Sequence, residues 1–183
     1  MKKLLILALM AGMTAVAWGG ELAGVTMPNT VEIGDQTLVL NGMGLRKKAI
    51  IKVYVAGLYL NEKMNDAEAI LAADTARRTA MEFRFGVSAD KMCDAWKEGL
   101  EKNTASPSDG LKAKFDTLCG YQDDMEKAEM MVYTYVPGNG TEVEIKGEVK
   151  GTIEGKDFAD ALFSCWIGPE PPGKAFKDGL LGQ

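Results

Sequence analysis

Apolar and polar positions along the chain change period several times, and each change marks an element. Residues 50 to 60, IIKVYVAGLYL, are apolar on both faces of a strand: Tyr54, Ala56, Leu58 and Leu60 share one face with Ile50 and Lys52, and Ile51, Val53, Val55, Gly57 and Tyr59 form the other. A strand of this kind is covered on both sides. The cover is either helices or a cavity that holds a ligand. Before it, VEIGDQTLVLNG reads as a hairpin bending at Gly34-Asp35. After it come a short helix from about Asn65 to Ala73 and a half-buried strand, TAMEFRF, in which Met81, Phe83 and Phe85 alternate with Glu82 and Arg84.

The middle of the chain switches to a helical period. Ser88 is a good N-cap, Val87 and Met92 form a hydrophobic staple, and Met92, Ala95, Trp96, Gly99 and Leu100 make a buried stripe. A second helix is expected with Ser106 as cap, Pro107 at the first helical position, apolar Leu111, Phe115 and Leu118, and Gly120 just past its end. Strands return with MMVYTYV, turn at Pro137 to Gly140, and continue through TEVEIKGEVKGTI. A last helix opens at Asp157, presents Phe158, Ala161, Leu162, Cys165 and Trp166, and stops at Gly168-Pro169. Strands on both sides of a helical insertion predict an α+β fold, a mostly antiparallel sheet with helices packed on one face.

The N-terminus changes the picture of where the protein works. Met1-Lys2-Lys3, an apolar run from Leu4 and the Ala15-Val16-Ala17 pattern read as a secretory signal peptide over residues 1–19, cleaved after Ala17 or Gly19, with a single domain over 20–183. No later stretch reaches the roughly 18 apolar residues of a membrane span. A secreted or periplasmic protein is expected. Removing Lys2 and Lys3 lowers the basic residues from 21 to 19 against 26 acidic ones, a net charge of −7. That balance argues against nucleic acid or an anionic membrane surface as partner.

Candidate chemistry is narrowed mainly by what is missing. The sequence contains no histidine, which excludes Ser-His-Asp, Cys-His and His-ligated zinc chemistry. No cofactor and no metal are expected, since NGMGLR opens onto a strand and not a helix, unlike a phosphate loop. The acidic pairs Asp123-Asp124 and Glu142-Glu144 fall on expected solvent faces. Cys93 and Cys119 flank Ser106 symmetrically, so a helix hairpin turning there permits a disulfide; the alternative is three buried thiols, with Cys165 in the core. Methionines such as Met81, Met92, Met125, Met130 and Met131 either line an adaptable pocket or fill an irregular core.

NGMGLRKKAIIKVYVAGLYL at 41 to 60, SADKMCDAWKEGLEKN at 88 to 103 and GEVKGTIEGKDFADALFSCWIGPEPPGKAFKDGLLG at 147 to 182 together resemble the chalcone isomerase-like family, specifically its bacterial exported branch. The resemblance implies an open-faced β-sandwich with a cleft between sheet and helices, so residues 50 to 60 are expected to meet helices on one side and ligand space on the other. In plant chalcone isomerases an arginine after the Gly-rich turn enters that cleft, and a threonine on the next strand helps activate the substrate ketone. Arg46 matches the arginine, but Tyr54 stands at the threonine position, where a phenol intrudes on the flavonoid's place. In the family's plastid fatty-acid-binding members an arginine and a tyrosine in this region hold a carboxylate, and Arg46 with Tyr54 supplies that pair. The resemblance therefore implies a non-catalytic binding protein for a small apolar acid, fatty or aromatic. Its alternatives are an isomerase that positions a self-attacking phenolate, and an envelope scaffold whose cleft is closed by side chains.

Overall fold

The computed structural model describes residues 18–183, so the signal-peptide reading lies, up to Ala17, outside the described residues. Seven strands form one antiparallel sheet in chain order: β3 (Thr30–Ile33), β4 (Gln36–Lys48), β5 (Ile51–Leu60), β6 (Arg77–Phe83), β7 (Met130–Val136), β8 (Gly140–Ile145) and β9 (Glu148–Ile153). Two short strands before them, β1 (Trp18–Leu22) and β2 (Val25–Pro28), pair as a separate hairpin. Helices α1 (Ala67–Ala72), α2 (Ala89–Asn103), α3 (Asp109–Gly120), α4 (Lys156–Ile167) and α5 (Lys174–Leu180) complete the chain.

The two faces of β5 are both covered, but not as the alternation alone suggests. Tyr54, Ala56, Leu58 and Leu60 belong to the main core beneath the helices. Val55 and Tyr59, on the opposite face, pack with Val25 and Met27 of β2 and with Leu38 and Leu40 of β4. The β1–β2 hairpin therefore occupies the side where ligand space was expected. Tyr59 secures it by donating its hydroxyl to the Pro28 carbonyl at 3.1 Å, and Gly57 leaves room for the Met27 sulfur.

Local signals place most elements. Ser88 caps α2 through the Lys91 amide, and Asp66 caps α1 through the Glu68 and Ala69 amides. The cap of α3 differs from the expected one: Ser108 accepts from the Leu111 amide at 3.2 Å, whereas Ser106 sits in the preceding turn with φ of 51°. A left-handed residue cannot hold the extended backbone an N-cap needs, so the helix starts later and keeps Gly120 inside it. Strand β6 likewise ends at Phe83, and Phe85 lies beyond it, exposed. Ile50 is not on a strand face at all but in the two-residue turn between β4 and β5.

Helix α4 is the centre of the helical layer. The sequence suggests one apolar side, yet Ala159, Phe163, Ser164 and Ile167 are buried as well. The reason is that other helices flank it. Gly99 of α2 brings the two helices so close that a Cβ there would lie 2.7 Å from the Cys165 sulfur. Cys93 of α2 and Cys119 of α3 are joined in a disulfide, and Cys165 is a free, buried thiol.

Candidate functional site

The site is built by one strand pair and the helix lying on it. Arg46 and Tyr54 are direct cross-strand partners in β4 and β5, which puts both side chains on the helix-facing side. The register shifts between Arg46 and Lys47, a bulge that re-aims the strand where the arginine leaves it. The Gly-x-Gly of NGMGLR is no turn: Gly42 and Gly44 lie inside β4. A Cβ on Gly44 would sit 2.5 Å from the Phe176 carbonyl oxygen, and one on Gly42 would collide with the Gly179 carbonyl. The two glycines let α5 rest backbone to backbone on the strand.

Helix α5 closes over the pair. Phe176 meets the Tyr54 ring edge-on at 5.7 Å, and Phe83 of the neighbouring strand lies at the same centroid distance. Arg46 donates from Nη1 to the Pro172 carbonyl at 2.8 Å and also to the carbonyl of Lys47. Tyr54 is 7% exposed. Burial pushes its phenol up to about 12, against the opposing influence of the Arg46 charge and the Trp166 indole N–H. The phenol is therefore a permanent O–H donor at physiological pH. The Trp166 N–H lies near it without meeting hydrogen-bond geometry, and Trp166 Nε1 is buried with no acceptor among the described residues.

Deeper in, aromatic rings occupy the space between sheet and helices. Trp96 and Trp166 meet at 5.2 Å, Trp96 and Tyr133 at 5.7 Å, and Tyr133 and Trp166 at 5.6 Å, all with tilted or edge-on planes. Trp96 Nε1 donates to Gln122, and burial pushes the Tyr133 hydroxyl far above its ordinary pKa and the Cys165 thiol up to about 12. Met81, Met92, Met125 and Met131 are buried in this core, while Met130 is exposed. None of these groups is an activated acid, base or nucleophile.

One buried charge escaped the sequence reading. Arg77 is fully buried, pairs with Asp160 of α4, donates to the Ile70 carbonyl at 2.9 Å, and lies over the rings of Tyr135 (5.1 Å) and Phe163 (4.9 Å). Lys156 completes the cluster with a 2.6 Å contact to Asp160. The cluster ties α1 and α4 to the far end of β6. Its only signal in the sequence is an arginine doublet opening a strand, which ordinarily reads as solvent-facing.

Elsewhere shallow depressions mark the described surface, among them one of about 440 Å³ at Gly19, Gly20, Glu21 and Thr26 and one of about 560 Å³ between the start of α1 and the end of α5. Neither includes Arg46 or Tyr54. No group of three or more His, Cys, Asp or Glu side chains among the described residues could hold a metal, and no described helix is long and apolar enough to cross a membrane.

A seven-stranded antiparallel sheet with helices on one face has a counterpart among known families. The model described as chalcone isomerase-like matches residues 19–182. The chain belongs to the chalcone isomerase-like family. A crystal structure of an Arabidopsis thaliana fatty-acid binding protein superposes with a TM-score of 0.69 at 21% identity, covering 86% of this chain and 92% of that one. At that identity the likeness establishes the family fold. No curated protein matches the sequence.

Proposed function

We propose that this chalcone isomerase-like protein is an exported, non-catalytic binding protein for a small apolar carboxylic acid such as a fatty acid, with Arg46 and Tyr54 as the carboxylate clamp. The observation that carries this reading is their cross-strand pairing beneath α5. A guanidinium at the rim and a phenol held protonated behind it offer the donors a carboxylate accepts. The Pro172 carbonyl now on Arg46 is a neutral acceptor, and a carboxylate makes a charge-assisted bond roughly twice as strong. The fatty-acid binding protein that shares the fold supports the same ligand class.

Room for the apolar tail requires α5 and Phe176 to move off Tyr54. Gly42 and Gly44 seat the α5 backbone, but α5 also contributes Phe176 and Leu180, and its C-cap Leu181, to the main core, so that movement uncovers apolar side chains that the ligand's tail would have to cover in their place. Isothermal titration with a medium-chain fatty acid and the matched fatty alcohol tests the proposal. Preference for the acid is expected, and equal binding of the two would count against the clamp.

A second reading, a scaffold without ligand, is favoured by the Trp96, Tyr133 and Trp166 rings that fill the layer interface. It requires that neither acid nor alcohol binds. Chalcone cyclisation has less support, because Tyr54, which the family resemblance puts at the enzymes' threonine position, is packed against Phe83 and Phe176.

A further inference from the structure

Five large apolar side chains are exposed among the described residues: Ile50 (96%), Phe85 (52%), Ile51 (41%), Val149 and Met130. All five lie at one end of the sheet. Ile50 and Ile51 sit at the β4–β5 turn, Phe85 just past β6, Met130 at the start of β7 and Val149 near the start of β9. The antiparallel registers Tyr54–Phe83, Glu82–Met130 and Ile145–Glu148 bring those strand ends together. The β4–β5 hairpin projects furthest, since Ile51 lies three residues beyond the Tyr54–Phe83 row, about 10 Å at the usual rise of a strand.

The composition of the tip is not what a turn asks for. A two-residue hairpin turn favours Asn, Asp or Gly; here Ala49 adopts φ of 53° and is followed by an isoleucine in solvent. Around it stand Arg46, Lys47, Lys48 and Lys52. Lys47 and Lys52 are cross-strand partners, a like-charge pairing that works against the hairpin. Among the described residues no carboxylate lies within ion-pair distance of Lys47, Lys48 or Lys52. Glu98, on which Lys48 and Arg46 act only weakly, is already ion-paired with Lys102. At the same end of the sheet Asp123, Glu129 and Glu148 are paired with Lys150 and Lys146, so these three carboxylates are engaged elsewhere and do not neutralise the hairpin lysines.

We propose that the β4–β5 hairpin, with Ile50 and Ile51 at its tip and Lys47, Lys48 and Lys52 around them, docks the protein onto an anionic lipid bilayer. The overall negative balance of the chain argues against such a partner, but charge acts over about a Debye length, roughly 8 Å at physiological salt, so the field a headgroup layer meets is that of the tip. Apolar side chains enter the headgroup boundary while lysines beside them meet lipid phosphates. Phe85, beyond the adjacent strand, widens the apolar contact. Docking at this end places Arg46 next to the membrane, yet it does not depend on Arg46 and Tyr54 holding an acid.

The test is cosedimentation of the full chain with phosphatidylcholine vesicles that either contain or lack phosphatidylglycerol. Partitioning is expected to favour the anionic vesicles and to fall with added salt. Each of Lys47→Gln, Lys48→Gln and Lys52→Gln is expected to lower it roughly fivefold, and Ile50→Asp roughly tenfold or more. The N-terminal residues are common to all variants, so differences report the hairpin; unchanged circular dichroism and melting temperature confirm the fold. Equal partitioning of the parent and Ile50→Asp, or of the parent and the lysine variants, overturns the proposal. So does a self-association, seen by sedimentation equilibrium, that Ile50→Asp abolishes without changing vesicle binding, because the tip would then meet a second copy.

Discussion

Arg46 holds the carbonyl of Pro172, so the guanidinium assigned to an acid is, in the closed arrangement, the fastening of the segment that leads into α5. A carboxylate entering the site competes with the protein's own backbone. Removing the arginine should weaken acid binding by about 2 to 5 kcal/mol, the usual cost of truncating one half of a buried charged pair, or at least about thirtyfold in affinity. Arg46→Lys should recover only part of it, lacking the two-pronged geometry, and Tyr54→Phe should cost about 0.5 to 1.5 kcal/mol. Titration calorimetry on the three variants checks this; unaltered affinity in Arg46→Ala would remove the clamp.

The buried phenol makes stability depend on alkali. Tyr54 is raised from 10.0 to about 12, so it keeps its proton in the folded state where the unfolded chain has lost it. The stability tied to that proton is complete below about pH 10 and disappears as pH rises towards 12. It amounts to roughly 2 to 3 kcal/mol at about 1.4 kcal/mol per pKa unit. Urea midpoints between pH 9 and 11.5 should fall less steeply for Tyr54→Phe than for the parent.

Reduction of Cys93–Cys119, which are 26 residues apart, should cost about 3.5 kcal/mol on the loop-entropy account. Denaturant unfolding with and without reductant measures it, with Cys93→Ser as the genetic counterpart. Added reductant should leave Cys93→Ser unaffected, because Cys165 has no partner.

The Arg77 cluster offers an asymmetric pair of variants. Asp160→Ala strips the partner from a fully buried guanidinium and should destabilise by about 3 to 5 kcal/mol. Arg77→Met puts an apolar chain of similar volume among Tyr135, Phe163 and Ile70 and should cost less, since buried ion pairs are often replaceable by well-packed apolar groups. Thermal unfolding that ranked the two the other way round would mean the cluster stabilises by packing and not by charge.

What the sequence discloses follows the range of the forces involved. The Gly34-Asp35 bend, the Ser88 cap and the two-faced strand ending in Tyr59-Leu60 depend on near neighbours and could be read directly. Ser106 and Ser108 are equally good caps on composition, and only the backbone of the turn between α2 and α3 selects the second. The β1–β2 hairpin and α5 are short and carry weak periodicity, so the cover on Val55 and Tyr59 and the lid on Tyr54 were not legible. Gly42 and Gly44 look like turn residues because a glycine that admits a helix and a glycine that bends a chain are the same letter. Arg46 and Tyr54 could be singled out by family resemblance; that they face each other is a matter of strand register.

The order of the cysteines has a consequence for biogenesis. Cys93 and Cys119, the bonded pair, are consecutive along the chain, and Cys165 follows only after α4 has begun. A polypeptide emerging N-terminus first, from a ribosome or through a translocation pore, exposes the two correct thiols before the third exists to compete. Oxidation at that stage has a single intramolecular product, and the later burial of Cys165 under α2 withdraws the one thiol that could attack it. The native pairing can thus arise vectorially, with no shuffling of wrong isomers to undo.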